Sequence, residues 1–258
     1  MVIHILFVMN VLIVILMLGF MVSRMQRYFA VDKKDNLFIL EDSDLHHISN
    51  VMRMKSGDFV EVVFDKVLYR CKLEFNSSIS VVFDSILPGN DDVMDIVLIV
   101  PVLKEQKMDL VLQKATELGA TRIIPIICER CVVKLNDKES KKLDRWSRIV
   151  KEASEQCKRI SVPIIDNVCK ISDLNFSDGV KLVCSTRENE KSIKNVMHNL
   201  NGCAKMYIVV GPEGGLSIEE EDKLNSMGFV SITLGKRIMR VETVPMFILS
   251  ILNYELME

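Results

Sequence analysis

Two stretches of this chain concentrate residue types that can hold and activate a small ligand. The first is Ile208-Val-Val-Gly211-Pro212-Glu213-Gly214-Gly215-Leu-Ser217-Ile-Glu-Glu220. An apolar run enters a turn with three glycines, which can take positive φ and let backbone approach a bound group. Ser217 and Glu220 have capping-box spacing and start a helix. The spacing is not the dinucleotide fingerprint G-x-G-x-x-G, and no Lys-Ser/Thr follows as in a phosphate-binding loop. Taken alone, a tight strand-to-helix turn explains these glycines equally well. The second stretch is Leu234-Gly235-Lys236-Arg237-Ile238-Met239-Arg240-Val241-Glu242-Thr243-Val244-Pro245. Here arginines and a glutamate precede an apolar helix, with Thr243 expected as its N-cap and Pro245 in its first turn. Charge clustered beyond a strand's carboxyl end is where open α/β sheets bind ligands. The plain alternative is that Arg237, Arg240 and Glu242 pair with one another.

The elements that must position these stretches are legible as periodicity. From residue 26 to about 87, Leu37-Phe-Ile-Leu, Phe59-Val-Glu-Val-Val-Phe, Leu68-Tyr-Arg-Cys-Lys-Leu and Ile79-Ser-Val-Val-Phe read as short strands. Gly57-Asp58 and Asn76-Ser-Ser supply turns. Ser43 to Met54 reads as one helix with Leu45, Ile48, Val51 and Met52 on a face. Pro88-Gly-Asn-Asp-Asp92 is a polar cluster suited to a linker. Beyond it the pattern changes to alternating buried strands and amphipathic helices. Asp95-Ile-Val-Leu-Ile-Val-Pro opens that series, and Gly119 stops a helix begun near Lys107. Later strands fall at 122–128, 181–185, 206–210 and 230–234, with helices at 143–159, 192–200, 218–227 and from about 245. These features predict an α/β domain over 91–258, built on a mostly parallel sheet, behind a small β domain over 25–90.

Composition narrows the class further. The 258 residues are 49% hydrophobic and 26% charged, which suits a folded core and excludes a disordered chain. A net charge of −2 gives no global attraction to nucleic acid, so any RNA contact must come from local patches. Seven cysteines at irregular spacing read as reduced thiols of a cytoplasmic protein. Cys128-x-x-Cys131 lacks a second pair to complete a zinc site and follows a strand rather than opening a helix; neighbouring strand residues explain it best. His46 and His47 lack partners at metal-ligand spacing, so no metal is expected. Residues 1–24 form an apolar extension long enough to span a bilayer. Two readings stay open: a membrane anchor, or upstream sequence ahead of a start at Met25, the second being favoured and membrane contact not expected.

The combination Gly211-Pro-Glu-Gly-Gly-Leu-Ser and Leu234-Gly-x-Arg-Ile-Met-Arg240-x-Glu-Thr243 resembles the RsmE family. Those proteins are small-subunit ribosomal RNA uridine-N3 methyltransferases of the SPOUT superfamily. Met25-Gln-Arg-Tyr-Phe, His46-His-Ile-x-x-Val-Met-Arg53-Met-Lys-x-Gly-Asp, Lys104-Glu-Gln-Lys107, Gln113-Lys-Ala-Thr-Glu117-Leu-Gly, Glu129-Arg130 and Glu152-Ala-x-Glu155-Gln156-x-x-Arg159 agree in the same order. The sequence departs at Val244 where Ala is usual, at Met239 for Leu and at Cys131 for Ser. The resemblance implies a trefoil-knotted, mostly parallel sheet with helices on both faces and a PUA-like RNA-binding β-barrel at the amino end. It implies S-adenosylmethionine as cofactor, held by Gly211, Pro212, Glu213, Gly214, Gly215, Leu234, Gly235, Ile238, Met239, Arg240 and Thr243. It further implies a homodimer whose active sites are each completed by the partner chain, and 16S ribosomal RNA in the small subunit as substrate.

Uridine N3 carries a proton at neutral pH and is nucleophilic only once that proton leaves. A guanidinium beside it stabilises the charge that develops on N3 and its carbonyl oxygens. Arg240 is the candidate for that role, with Glu242 orienting it or accepting the proton. Because N3 lies on the pairing edge, the base must be unpaired or flipped out. Between Glu129 and Arg159 there are ten basic residues against six acidic. Arg130, Lys134, Arg148 and Arg159, with Arg27, Arg53 and Lys55 in the β domain, are candidate phosphate contacts. A solvated helix face explains several of these equally well. The competing functional classes are an RNA-binding assembly factor of the same fold without turnover, and a membrane-tethered protein using residues 1–24.

Overall fold

The computed structural model describes residues 25–89, 94–133, 139–197 and 204–256. The apolar extension at 1–24 and the candidate Lys134 lie outside these residues. The chain divides into two compact units, 1–90 and 91–258. Among the described residues no helix is long and apolar enough to cross a membrane.

The first unit is a six-stranded sheet. Its strands are β1 (Arg27–Phe29), β2 (Asp32–Lys34), β3 (Leu37–Ile39), β4 (Phe59–Phe64), β5 (Val67–Phe75) and β6 (Ile79–Leu87), in the order β1-β4-β5-β6-β3-β2. Only β1 and β4 pair in parallel; the remaining ladders are antiparallel. The β4–β5 hairpin turns through Asp65 and Lys66 at φ 48° and 61°. Positive φ at both turn positions matches the right-handed strand twist, although Gly or Asn more often fills them. Alternate side chains, Val60 and Val62 on β4 with Cys71 and Leu73 on β5, join Tyr28, Phe38 and Ile48 in the core. The expected helix over 43–54 is shorter than read. Helix α1 (Asp42–His46) widens into a π turn over His47–Val51, where Met52 N–H donates to His47 O at 2.9 Å. The extra residue per turn swings Val51 and Met52 off the core face, leaving them 58% and 40% exposed.

The second unit is a parallel sheet. Its strands are β7 (Asp95–Pro101), β8 (Arg122–Ile127), β9 (Ile164–Ile165), β10 (Cys169–Lys170), β11 (Val180–Cys184), β12 (Lys205–Val210) and β13 (Val230–Ile232). The order is β10-β8-β7-β12-β11-β13, with β9 also paired to β8. Because side chains alternate across a strand, β7 divides its apolar run between two cores. Ile96, Leu98 and Val100 meet helices α2 (Glu105–Glu117), α3 (Glu139–Gln156) and α6 (Thr243–Leu256), through Met108, Leu112, Trp146, Ile248 and Leu252. Val97 and Ile99 join Ile124, Tyr207, Val209 and, from helix α5 (Ile218–Ser226), Leu224 on the other face. A short helix α4 (Ile193–Met197) connects β11 to β12. Each of these fully buried aliphatic side chains contributes about 1.5–3 kcal/mol relative to an exposed one. The two cores thereby fix the carboxyl ends of β11 and β12, from which the glycine turn and its neighbours emerge.

Candidate active site

The glycine turn leaves β12 at Val210 and is shaped by contacts only glycine permits. A Cβ on Gly211 would meet Leu216 Cγ and Leu216 N at 3.1 Å, and one on Gly214 would meet Arg130 Cβ at 3.2 Å. Gly215 sits at φ 72° and its N–H donates to Pro212 O at 2.8 Å, closing the turn. The expected capping box is formed: Ser217 N–H donates to Glu220 Oε2 at 2.9 Å and Glu220 N–H to Ser217 Oγ at 3.3 Å. Glu220 also accepts from Glu129 N–H at 2.7 Å, and the Arg130 guanidinium donates to Gly214 O at 3.1 Å. The segment after β8 is therefore fastened to the glycine turn.

The charged strap, residues 234–242, runs from β13 to α6. It turns at Gly235, whose φ of 114° is reserved to glycine, and Leu234 packs against the core. Ile238 is 85% exposed, Arg240 is exposed and Val241 is buried. A cleft of about 680 Å3 lies between turn and strap, a size typical of small-molecule sites. Gly211, Pro212, Glu213, Gly214, Gly215, Ile238, Met239 and Arg240 line it, with Val244 beside them. Leu234, Gly235, Glu242 and Thr243 do not line this cleft. Thr243 is also not the N-cap that was expected. It is the first residue of α6, and its N–H donates to Arg240 O at 2.9 Å.

Four further residues that the sequence did not single out as site residues line the cleft. Ser185, Thr186 and Arg187 follow β11, and Lys107 enters from the first turn of α2. Arg187 donates through Nε to Glu221 Oε2 at 3.1 Å and through Nη2 to Ser217 O at 3.2 Å. Burial pushes the Glu221 carboxyl up, but hydrogen bonds from Arg187, Ser185 and Ser231 outweigh it and hold the group below the ordinary glutamate value. Lys107 Nζ lies 2.9 Å from Glu213 Oε1 and 3.4 Å from Glu242 Oε2. Glu242 therefore faces Lys107, and no direct Arg240–Glu242 ion pair occurs among the described residues.

The candidate phosphate contacts separate by environment. Arg27 is 7% exposed and pairs with Glu61 at 2.8 Å, joining β1 to β4. Arg159 Nη1 donates to Thr116 O at 2.9 Å and so caps the carboxyl end of α2. Arg130 braces the glycine turn. Arg27 is thereby turned into the fold and away from any phosphate, whereas Arg159 and the exposed Arg130 each spend part of the guanidinium on a backbone carbonyl. Arg53 and Lys55 are exposed in the first unit, and Arg148 is exposed on a groove between α2 and α3. His47 Nδ1 shares a 2.9 Å hydrogen bond with the Tyr28 hydroxyl. Cys128 and Cys131 are not neighbours within a strand. They bracket a turn in which Cys131 N–H donates to Cys128 O at 3.1 Å. A hydrogen bond from the Cys128 thiol lowers Cys131 to about 7 and, with burial, raises Cys128.

The cleft lies at the carboxyl ends of parallel strands, where open α/β folds bind their ligands, and the exposed Arg240 stands at its wall. The RNA methyltransferase domain family matches residues 90–253, and the RNA methyltransferase PUA domain family matches residues 40–83. The chain belongs to the ribosomal RNA small subunit methyltransferase E family. It is 34% identical to the member from Bacillus subtilis over 248 residues, covering 90% of this chain and 97% of that one. The member from Aquifex aeolicus is 32% identical over 247 residues, covering 88% and 99%. Among solved structures, the methyltransferase E of Neisseria gonorrhoeae bound to S-adenosyl methionine superposes with a TM-score of 0.79. Its identity is 29%, with 89% of this chain and 97% of that chain covered. A Legionella pneumophila methyltransferase in complex with the cofactor SAM gives 0.82 at 27% identity, covering 90% and 98%.

Proposed function

We propose that this protein methylates N3 of one uridine in the 16S ribosomal RNA of the small subunit, using S-adenosylmethionine bound in the cleft between the glycine turn and the strap. The observation that carries the reading is the convergence of Gly211–Gly215 with Ile238–Arg240 on one cleft, in a chain whose relatives are small-subunit ribosomal RNA methyltransferases. The residues present fit the donor. Gly211 and Gly214 let the turn pack closely on Leu216 and Arg130, nothing stands within 4 Å of where a Gly215 Cβ would sit, and backbone polar groups with Ile238, Met239 and Val244 offer a mixed polar and apolar lining. When bound, the sulfonium supplies an electrophilic methyl, so no metal is required.

The chain's own residues orient the base, stabilise charge and exclude water. Arg240 is exposed at the cleft wall, and its guanidinium makes no hydrogen bond or ion pair among the described residues. It is therefore free to meet the charge that grows on N3 and the flanking carbonyl oxygens as the proton leaves. Such a donor contributes about 3–4 kcal/mol to a transition state. Glu242 remains the carboxylate nearest in sequence for taking the proton. Arg53, Lys55 and Arg148 serve the phosphates of the RNA. The carboxyl half folds as a trefoil knot, the first unit closes as a PUA-like RNA-binding barrel, and the protein works as a cytoplasmic homodimer.

The decisive experiment incubates the protein with methyl-labelled donor and small subunits from cells lacking this modification, then maps the label. One methyl on N3 of one 16S uridine is expected. Label on another atom, on another RNA, or a protein that binds subunits without transferring methyl would reject the reading in favour of an assembly factor of the same fold.

A further inference from the structure

We propose that Lys107 is a positioning residue that clamps the glycine turn to the strap, holding Glu213 on one side and Glu242 on the other. The inference rests on the methyltransferase reading of the cleft and goes beyond it, because Lys107 belongs to neither loop. It stands in the first turn of α2, where its N–H donates to Lys104 O at 2.9 Å. The next residue, Met108, and Val111 and Leu112 are fully buried, so the backbone of Lys107 is anchored in the core. Its ammonium reaches out to Glu213 at 2.9 Å and Glu242 at 3.4 Å, which belong to loops from different parts of the chain.

Glu242 needs this partner. Its side chain is 14% exposed, and Oε2 has no hydrogen bond of good geometry among the described residues. A carboxylate so enclosed is costly unless a cation stands near it. Without Lys107, Glu213 and Glu242 would also face the same space with like charge. Hydrogen bonding to Glu213 holds the Lys107 ammonium above the usual lysine range. Lys107 is therefore a constant cation at working pH and not the acceptor of the N3 proton.

The consequence for chemistry runs through the backbone. Arg240 O accepts from Thr243 N–H and Val244 N–H at 2.9 and 3.2 Å, so the start of α6 sets where the strap ends. Glu242 lies inside that short link. Drawing Glu242 toward Lys107 fixes the path on which Arg240 stands over the cleft, while Glu213 draws the opposite wall to the same anchor. The Lys107–Glu213 pair is partly exposed and adds little to stability by itself, whereas the enclosed Glu242 depends on its cation. Displacement of a reacting group by about 1 Å can cost ~100-fold in rate. The effect should therefore appear in turnover as well as in melting.

Hydrogen–deuterium exchange and steady-state methyl transfer to small subunits test the clamp in the full chain. Lys107→Met should speed exchange in both 211–216 and 239–244, whereas Glu213→Gln should loosen only the first and Glu242→Gln only the second. Turnover of Lys107→Met should fall roughly 10- to 100-fold, with a smaller change in donor KM. Lys107→Arg should recover most of that loss. The double variant Lys107→Met/Glu242→Gln should lose no more than the worse single variant. Unchanged exchange in the strap of Lys107→Met, or losses that simply multiply in the double variant, would overturn the proposal. A wild-type protein that transfers no methyl would reject the proposed function instead, and the exchange comparison would still decide the clamp.

Discussion

The two walls of the cleft are built in opposite ways. The glycine turn is fastened at nearly every residue: Ser217 and Glu220 cap its helix, Glu129 N–H reaches Glu220, and Arg130 binds Gly214 O. The strap is fastened near its ends, by Leu234 in the core at one and by Val241, the Lys107–Glu242 pair and the start of α6 at the other. Between them Ile238 stands 85% exposed and Arg240 is exposed. A turn whose backbone forms the surface must be shaped before a ligand arrives, since each misplaced polar group weakens binding. A side chain that acts on a developing charge must instead stay unpaired until the substrate is in place. On the proposed reading the turn chiefly shapes the donor site, while the strap lends it Ile238 and Met239 and carries Arg240 for catalysis.

That division is open to direct attack. Arg240→Ala should lower methyl transfer by about 100- to 1,000-fold while leaving donor affinity within a few fold, read by calorimetry beside kinetics. Full activity would return the strap to a passive role. Gly211→Val should do the reverse. The new side chain collides with Leu216, and overpacking of about 1–3 kcal/mol corresponds to roughly 5- to 150-fold weaker donor binding. Arg130→Ala should weaken donor binding by about 1 kcal/mol through loss of the brace on Gly214, without changing the salt slope of RNA binding. Arg148→Ala should lower that slope by about 1 and leave donor binding alone. Exchanged outcomes for these two arginines would mean that the groove serves the cofactor and the brace serves RNA.

A smaller effect separates the turn from its support. Glu221 titrates below its ordinary value in the folded chain, so its contribution to stability is present above the unfolded value of about 4.3. It is lost as pH falls through the lower folded value. The melting temperature of wild type should therefore exceed that of Glu221→Gln at pH 7, and the gap should close toward pH 3. A gap that widens in acid would show that Arg187 and Glu221 do not support α5 as described.

The parts of the site that were legible in sequence are those written in consecutive residues. Gly211–Gly215 and Ile238–Arg240 carry their chemistry locally, and the Ser217–Glu220 cap is a spacing rule. Lys107 was out of reach because its place depends on β7 lying beside β12, a pairing set by sheet order. Arg187 follows β11 as a lone arginine without glycines to mark it. Arg27 and Arg159 looked like phosphate contacts because their partners, Glu61 and Thr116 O, are distant in sequence. The helix over 43–54 was misjudged for another reason: apolar spacing does not reveal a π turn. The alternation of buried strands with amphipathic helices did carry the α/β architecture, since a strand covered on both faces needs a continuous apolar run.

A structure of the protein with S-adenosylhomocysteine bound tests the central claim most directly. The ligand should lie between Gly211–Leu216 and Ile238–Val241, with its sulfur turned toward the open part of the cleft that the Arg240 guanidinium faces. Density for the ligand elsewhere, or between these loops with its sulfur buried away from the side of the cleft where Arg240 stands, would contradict the account.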